Sequence, residues 1–174
     1  MRSEIFVTSD THFGHDNIRK YCNRPFPSCP EMDEAIMQNW NEKVKNNDII
    51  YHLGDFSFTK NTAETNKYLN RLNGKIVLIR GNHDKKSVVS ANFFEVYSKY
   101  QGKMLTVSED NYYLNHFPHL SWDRSHYGVF HLFGHCHGEL KNPPINSLDV
   151  GVDANNFTPL NIEEVKEKFK NKNG

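Results

Sequence analysis

The chain has 174 residues, with 21 basic and 21 acidic side chains and no formal net charge. That length suits a single domain over residues 1–174 with a sizeable buried core. The balanced charge excludes a protein whose main task is coating nucleic acid or an anionic membrane.

Mean hydropathy is low at −0.74. Leu, Ile, Val and Phe nevertheless supply about a quarter of the residues, so the composition is that of a folded chain. The N-terminus runs from Met1-Arg2-Ser3-Glu4 straight into Ile5-Phe6-Val7, without the apolar stretch and small-residue cleavage site of a secretory signal. No apolar run approaches the length of a membrane span. Cys22, Cys29 and Cys136 include no Cys-x-x-Cys pair, which points to reduced thiols and a cytoplasmic protein.

In chain order, β-type runs are expected over residues 5–9, 48–53, 75–79, 104–107, 112–115, 129–133 and 148–152. Ile49-Ile50 and Ile76-Val77-Leu78-Ile79 are continuously apolar, as in strands buried on both faces. Helices fall between the early strands. Ser28 and Glu31 form a capping box ahead of Ile36, Met37, Trp40 and Val44, which share one helical face. A second helix spans residues 61–72 and stops at Asn73-Gly74. Asn161 and Glu164 open a last one carrying Ile162, Val165 and Phe169. The order β-α-β-α-β implies a parallel sheet in the first half, and the β-rich second half is expected to add antiparallel hairpins. The expected class is α/β, with two mixed sheets face to face and helices outside.

Polar residues recur just past the carboxyl ends of these runs: Asp10 and His12, Asp55, Asn82 with His83 and Asp84, His116, then His135 and His137. Strand ends of this kind are where α/β sheets place ligands. Gly54, Gly81 and Gly134 precede candidate ligands, where a positive φ or a close backbone approach would aim them. Asp10, Asp55, Asn82, His12, His116, His135 and His137 mix hard oxygens with imidazoles. Such a set suits Mn²⁺ best, with Fe, Zn²⁺, Co²⁺ or Ni²⁺ as alternatives, and its size suits two ions sharing one carboxylate. His52, His126 and His131 are read as structural, and His119 lies close enough to His116 to be watched. Alternation is expected to turn Cys136 away from the ligands and into the core.

Asp10-x-His12, Gly54-Asp55, Gly81-Asn82-His83-Asp84, the His116 block and Gly134-His135-Cys136-His137 together closely resemble the calcineurin-like metallophosphoesterases. His12 to Ile18, Arg24-Pro25-Phe26 and Leu148 to Asp153 are similar to the small prokaryotic and phage branch. The resemblance implies an α/β/β/α sandwich. It gives Asp10, His12 and His137 to a first divalent ion, Asp55 as the bridge, and Asn82, His116 and His135 to a second. A metal-bound hydroxide would attack phosphorus while His83, oriented by Asp84, protonates or hydrogen-bonds the leaving oxygen. His15 either faces the phosphate or packs in its loop, and Arg24 either binds phosphate or is a surface residue.

The implied activity is hydrolysis of a small phosphoester, with a nucleotide-type phosphodiester favoured over a monoester. A catalytically weak protein-interaction scaffold of the same fold is the other reading. Neutral charge argues against a long nucleic acid as partner, no membrane partner is expected, and the resemblance leaves the oligomeric state open.

Overall fold

The computed structural model describes residues 3–173. The leader-free start read from Met1 and Arg2 lies outside the described residues. The first half runs β1 (Ile5–Thr8), α1 (Ile18–Tyr21), α2 (Cys29–Lys43), β2 (Ile49–His52), α3 (Thr62–Leu69), β3 (Lys75–Ile79), α4 (Lys86–Val89) and β4 (Glu95–Tyr97). The second half runs β5 (Lys103–Val107), β6 (Asp110–Leu114), β7 (Phe130–Phe133), β8 (Ser147–Asp149), β9 (Leu160–Asn161) and α5 (Ile162–Asn173). Short 3-10 turns lie at Ser125–Tyr127 and Val152–Ala154.

Local chemistry explains the helix starts. The Ser28 hydroxyl accepts from the Glu31 amide at 3.3 Å and donates to the Glu31 carboxylate at 2.6 Å, closing the N-terminus of α2. Asn61 caps α3 by accepting from the Glu64 amide at 3.0 Å. At α5 the Glu164 carboxylate accepts from the Asn161 amide at 2.8 Å, while the Asn161 side chain accepts from the Glu163 amide.

Among the described residues, nine strands make two mixed sheets. The first has the order β4-β3-β2-β1-β9, parallel except for β9, which runs antiparallel to β1. The second has the order β5-β6-β7-β8. Here the expected run of antiparallel hairpins reduces to one, β5–β6; the pairs β6–β7 and β7–β8 are parallel. A two-residue turn at Ser108-Glu109 must reverse the chain, whereas connections 115–129 and 134–146 are long enough to carry it back to the starting end. β4 and β9, three and two residues long, are too short to show a period and were not expected. The anticipated strand over 148–152 ends at Asp149, because the chain then crosses between sheets. The Val150 amide still donates to Phe133 O in the second sheet, and the Val152 amide donates to Ser9 O in the first.

Alternation along the first sheet feeds two cores. Phe6, Ile50, Ile76 and Leu78 pack under α2 with Ile36 and Trp40. Val7 and Ile79 face the second sheet, against Leu114 and Leu132, with Val165 and Phe169 of α5. Both faces of the central strands are thereby buried, which is why they read as unbroken apolar runs. Among the described residues, no helix is long and apolar enough to cross a membrane.

Candidate metal centre

Topology brings the polar clusters to one edge. Parallel β1, β2 and β3 deliver the loops after Thr8, His52 and Ile79 to the same end, and parallel β6 and β7 deliver His116 and His135 beside them. Backbone hydrogen bonds lace these loops together. The Asp10 amide donates to Gly54 O, the His12 amide to Asp55 O and the Gly134 amide to His116 O, each at 3.0 Å.

Five of the seven candidate ligands hold a left-handed backbone: Asp10 (φ 59°), His12 (51°), Asp55 (57°), His135 (69°) and His137 (49°). Non-glycine residues rarely adopt that conformation, and such strain concentrates where surrounding structure enforces it for function. Two glycines make the convergence sterically feasible. Gly54 has φ +94°, and a Cβ there would lie 2.4 Å from Gly81 N and 2.8 Å from His116 Nδ1. A Cβ on Gly134 would collide with Ser9 Oγ and with Asp10 Oδ2, the atom that accepts from the His135 amide at 2.9 Å.

The side chains gather in two groups. Asp10, His12 and His137 present ligand atoms within 4.8 Å of one another, and so do Asp55, His116 and His135. Asp55 Oδ2 lies 3.6 Å from His12 Nε2 and 3.6 Å from His116 Nε2, so it stands between the groups. Asn82 joins the second group through Oδ1, 2.8 Å from His116 Nε2.

The donor chemistry fits divalent cations. Asp10 Oδ1 and His12 Nε2 are buried, have no hydrogen-bond partner among the described residues and lie 3.9 Å apart. Buried polar atoms are seldom left so. His116 Nδ1 faces Leu53 O at 2.7 Å; donating there leaves a lone pair on Nε2, turned toward the Asn82 oxygen. Two lone pairs in contact are repulsive, and a cation held by both removes the conflict.

Electrostatics agree. Burial raises the Asp10 pKa to about 8, reinforced by the charge of Asp55 and opposed by His137. Burial likewise raises Asp55. It lowers His12 well below the ordinary imidazole value, lowers His116 to about 4, and lowers His135. Those three imidazoles are thus held neutral, the state that ligates, and positive charge nearby favours ionisation of the two carboxylates.

Three expectations need correction. Arg24 is neither at the surface nor turned toward a substrate. Its guanidinium is fully buried, paired with both Asp153 oxygens at 2.8 Å and donating to Asp10 O and Thr11 O. Asp84 does not orient the His83 ring. Its carboxylate accepts from the amides of Asp55, Gly81 and Phe56 at 2.8–2.9 Å, which fixes the loop on which Asp55 sits. Cys136 is not in the core but half-buried at the wall of the cleft, because the strand has already ended at Phe133 and alternation no longer applies.

Sequence reasoning missed Asp153. Its Oδ2 bonds His137 Nδ1 at 2.7 Å, which leaves Nε2 for a metal. Burial opposes charge on His137, but Asp153, Cys22 and Asp10 hold its pKa up at about 10. The only hint in sequence was the Asp149-to-Asp153 run, where Asp149 in turn accepts from the Gly138 and Gly151 amides.

A cleft of about 580 Å³ opens beside the centre, with His12, His15, His83 and His137 among its lining residues. His83 is exposed, its amide bound to Asp55 Oδ1 at 2.8 Å and its ring 5.8 Å from that of His12. His15 lies 5.5 Å from His12 and stacks on Phe58 at 4.2 Å. The remaining histidines sit elsewhere. His52 is buried against Thr11 Oγ1, His126 lies in a 3-10 turn, and His119 packs with His131 and Tyr113 on the second sheet.

Comparison with known proteins places this geometry. The family model for calcineurin-like phosphoesterases matches residues 3–173. The chain is 38% identical over 169 residues to the uncharacterized protein MJ1445 of Methanocaldococcus jannaschii, covering 92% of this chain and 88% of that one. It is 26% identical over 195 residues to the gene 66 protein of Mycobacterium phage D29, with 95% of each covered. A protein of unknown function from Aquifex aeolicus, AQ665, superposes with a TM-score of 0.78 at 24% identity, over 96% of this chain and all of that one, and shows the same fold. With two clusters of O/N ligands at the strand ends of a two-sheet α/β fold, the chain belongs to the calcineurin-like phosphoesterases, metal-dependent hydrolases of phosphoester bonds.

Proposed function

We propose that the protein is a phosphodiesterase of small nucleotide-type substrates, working as one domain with two divalent ions, Mn²⁺ by preference. The observation that carries this reading is Asp55 Oδ2, 3.6 Å from both His12 Nε2 and His116 Nε2, a carboxylate shared by two ligand groups. Asp10, His12 and His137 would hold one ion, Asn82, His116 and His135 the other, with Asp55 between. Bound there, the ions would supply Lewis acidity at the phosphoryl oxygens and lower the pKa of water in the site.

The chain's own residues do the rest. Asp153 keeps His137 Nδ1 engaged, so that ring cannot turn. Asp84 holds the Asp55 loop through the amides of Asp55 and Phe56 and ties it to its own loop through that of Gly81. His83, exposed beside the centre and tied only through its backbone to Asp55, is free to give a proton to the leaving oxygen as the P–O bond breaks. That suits esters with alkoxide leaving groups, which are poor without protonation, diesters among them. His15, braced by Phe58, faces the same cleft and would position the phosphoryl group. The three free thiols suit a reducing compartment, consistent with a cytoplasmic placement.

The test is hydrolysis of bis-p-nitrophenyl phosphate by Mn²⁺-loaded protein, set beside p-nitrophenyl phosphate. Activity on the diester that is removed by EDTA and by Asp55→Asn is the expected result. Activity on the monoester alone would make the protein a phosphatase, and metal-loaded protein inert toward both would make it a scaffold.

A further inference from the structure

The cleft beside the centre is larger than a phosphoryl group requires, and its outer half has a distinct chemistry. Beyond the histidines it is walled by Ile18, Tyr21, Cys22, Asn23, Cys136 and Glu139. Ile18 is buried, whereas Tyr21 is 72% exposed and meets the His15 ring edge-on at 6.3 Å. No lysine or arginine is among the described lining residues, and Glu139 adds a negative charge at the rim. A second phosphate is therefore unwelcome there. A flat, uncharged group is not, because an exposed tyrosine one helical turn after the buried apolar Ile18 offers a stacking platform. Glu139 accepts hydrogen bonds only, and Asn23 both donates and accepts, a pairing that matches an exocyclic amino group beside a ring acceptor.

We propose that this outer half is a nucleobase subsite, in which Tyr21 stacks an amino-bearing base of one ester arm while Glu139 and Asn23 read its edge. The proposal rests on the phosphodiesterase reading and names its substrate class: nucleoside esters of phosphate, with adenine as the probe base. The volume of about 580 Å³ falls within the range of small-molecule sites, so phosphate, sugar and base fit together.

The experiment compares AMP with ribose 5-phosphate, which share a phosphate and a sugar and differ in the base. Binding to the Mn²⁺-loaded protein is measured by calorimetry. AMP is expected to bind more tightly than ribose 5-phosphate. Tyr21→Ala should weaken AMP by about 5- to 150-fold, the ~1–3 kcal/mol of base–aromatic stacking, with little change for ribose 5-phosphate, and Tyr21→Phe should keep the preference. Tyr21 is exposed, so neither variant disturbs the core. IMP, which carries an oxo group in place of the amino group, should bind more weakly than AMP, with Glu139→Gln narrowing the gap. Equal binding of AMP and ribose 5-phosphate, or equal losses for both in Tyr21→Ala, overturns the subsite; IMP binding as tightly as AMP overturns its edge reading. A wild-type protein that hydrolyses no diester yet keeps the Tyr21-dependent preference for AMP supports the subsite and overturns the enzymatic reading alone.

Discussion

Replacing Asp153 with alanine separates two roles that one carboxylate performs. Both of its oxygens hold the buried Arg24 guanidinium at 2.8 Å, and Oδ2 also holds His137 Nδ1 at 2.7 Å. Removing it leaves the buried Arg24 guanidinium with the Asp10 and Thr11 carbonyls, Met32 Sδ and the Phe157 ring, none of them an anion. Breaking a buried pair from one side costs about 3 kcal/mol or more. For a chain of this length that lowers Tm by roughly 6–12 °C. The same change frees the His137 ring. Loss of the carboxylate behind a ligating histidine typically weakens metal affinity about 10- to 100-fold.

The two effects are read independently, Tm by thermal denaturation in EDTA and affinity by calorimetric titration with Mn²⁺. Arg24→Met is the control, since it removes the cation but leaves Asp153 on His137. It should lower Tm by a comparable amount while costing less Mn²⁺ affinity than Asp153→Ala. If Asp153→Ala lost stability but bound Mn²⁺ with wild-type affinity, the carboxylate would serve the fold alone, and the reasoning that ties it to the metal centre would fail.

Two further outcomes are expected. His83→Ala should bind Mn²⁺ with unchanged stoichiometry, since the ring of this exposed residue belongs to neither ligand group, but lose about 100-fold or more in rate on alkyl leaving groups and far less on p-nitrophenyl esters; lost metal would contradict its role. His131, on the second sheet, is held neutral by burial, its pKa pushed down to about 4 while its ring meets Tyr113 O and the His119 amide. The unfolded chain therefore takes up a proton that the folded one refuses, and stability present above pH 6.5 is lost as pH falls from 6.5 to 4, by on the order of 3 kcal/mol. Tm measured against pH in EDTA should fall less steeply for His131→Gln than for the wild type, and parallel curves would show that His131 does not carry the dependence.

The strands and ligand positions were legible because both are local signals. Ile76-Val77-Leu78-Ile79 is apolar throughout since β3 is buried on both faces, and Asp10, Asp55 and Asn82 each follow such a run. The helix starts were legible for the same reason, since Ser28–Glu31 and Asn161–Glu164 are contacts three residues apart. Short elements were not, because β4 and β9 borrow their stability from the neighbour each pairs with and carry no period of their own.

What the sequence determined by itself is the inventory: which side chains end the strands, and that oxygen and nitrogen donors of this kind suit metal ions. What only the tertiary structure decided is how that inventory is held. Arg24 and Asp153 are 129 residues apart, and nothing in the local pattern around Arg24-Pro25-Phe26 tells a surface arginine from a buried one. Asp84 follows His83 in the chain, yet its oxygens turn to amides 28 and 29 residues away. Left-handed turns at Asp10, His12, Asp55, His135 and His137 arise only because loops from both sheets brace one another. A residue's type is fixed by the chain, but its partners are set by loops that meet only when two sheets pack, and partners decide whether a charge binds a substrate or supports the residue that does.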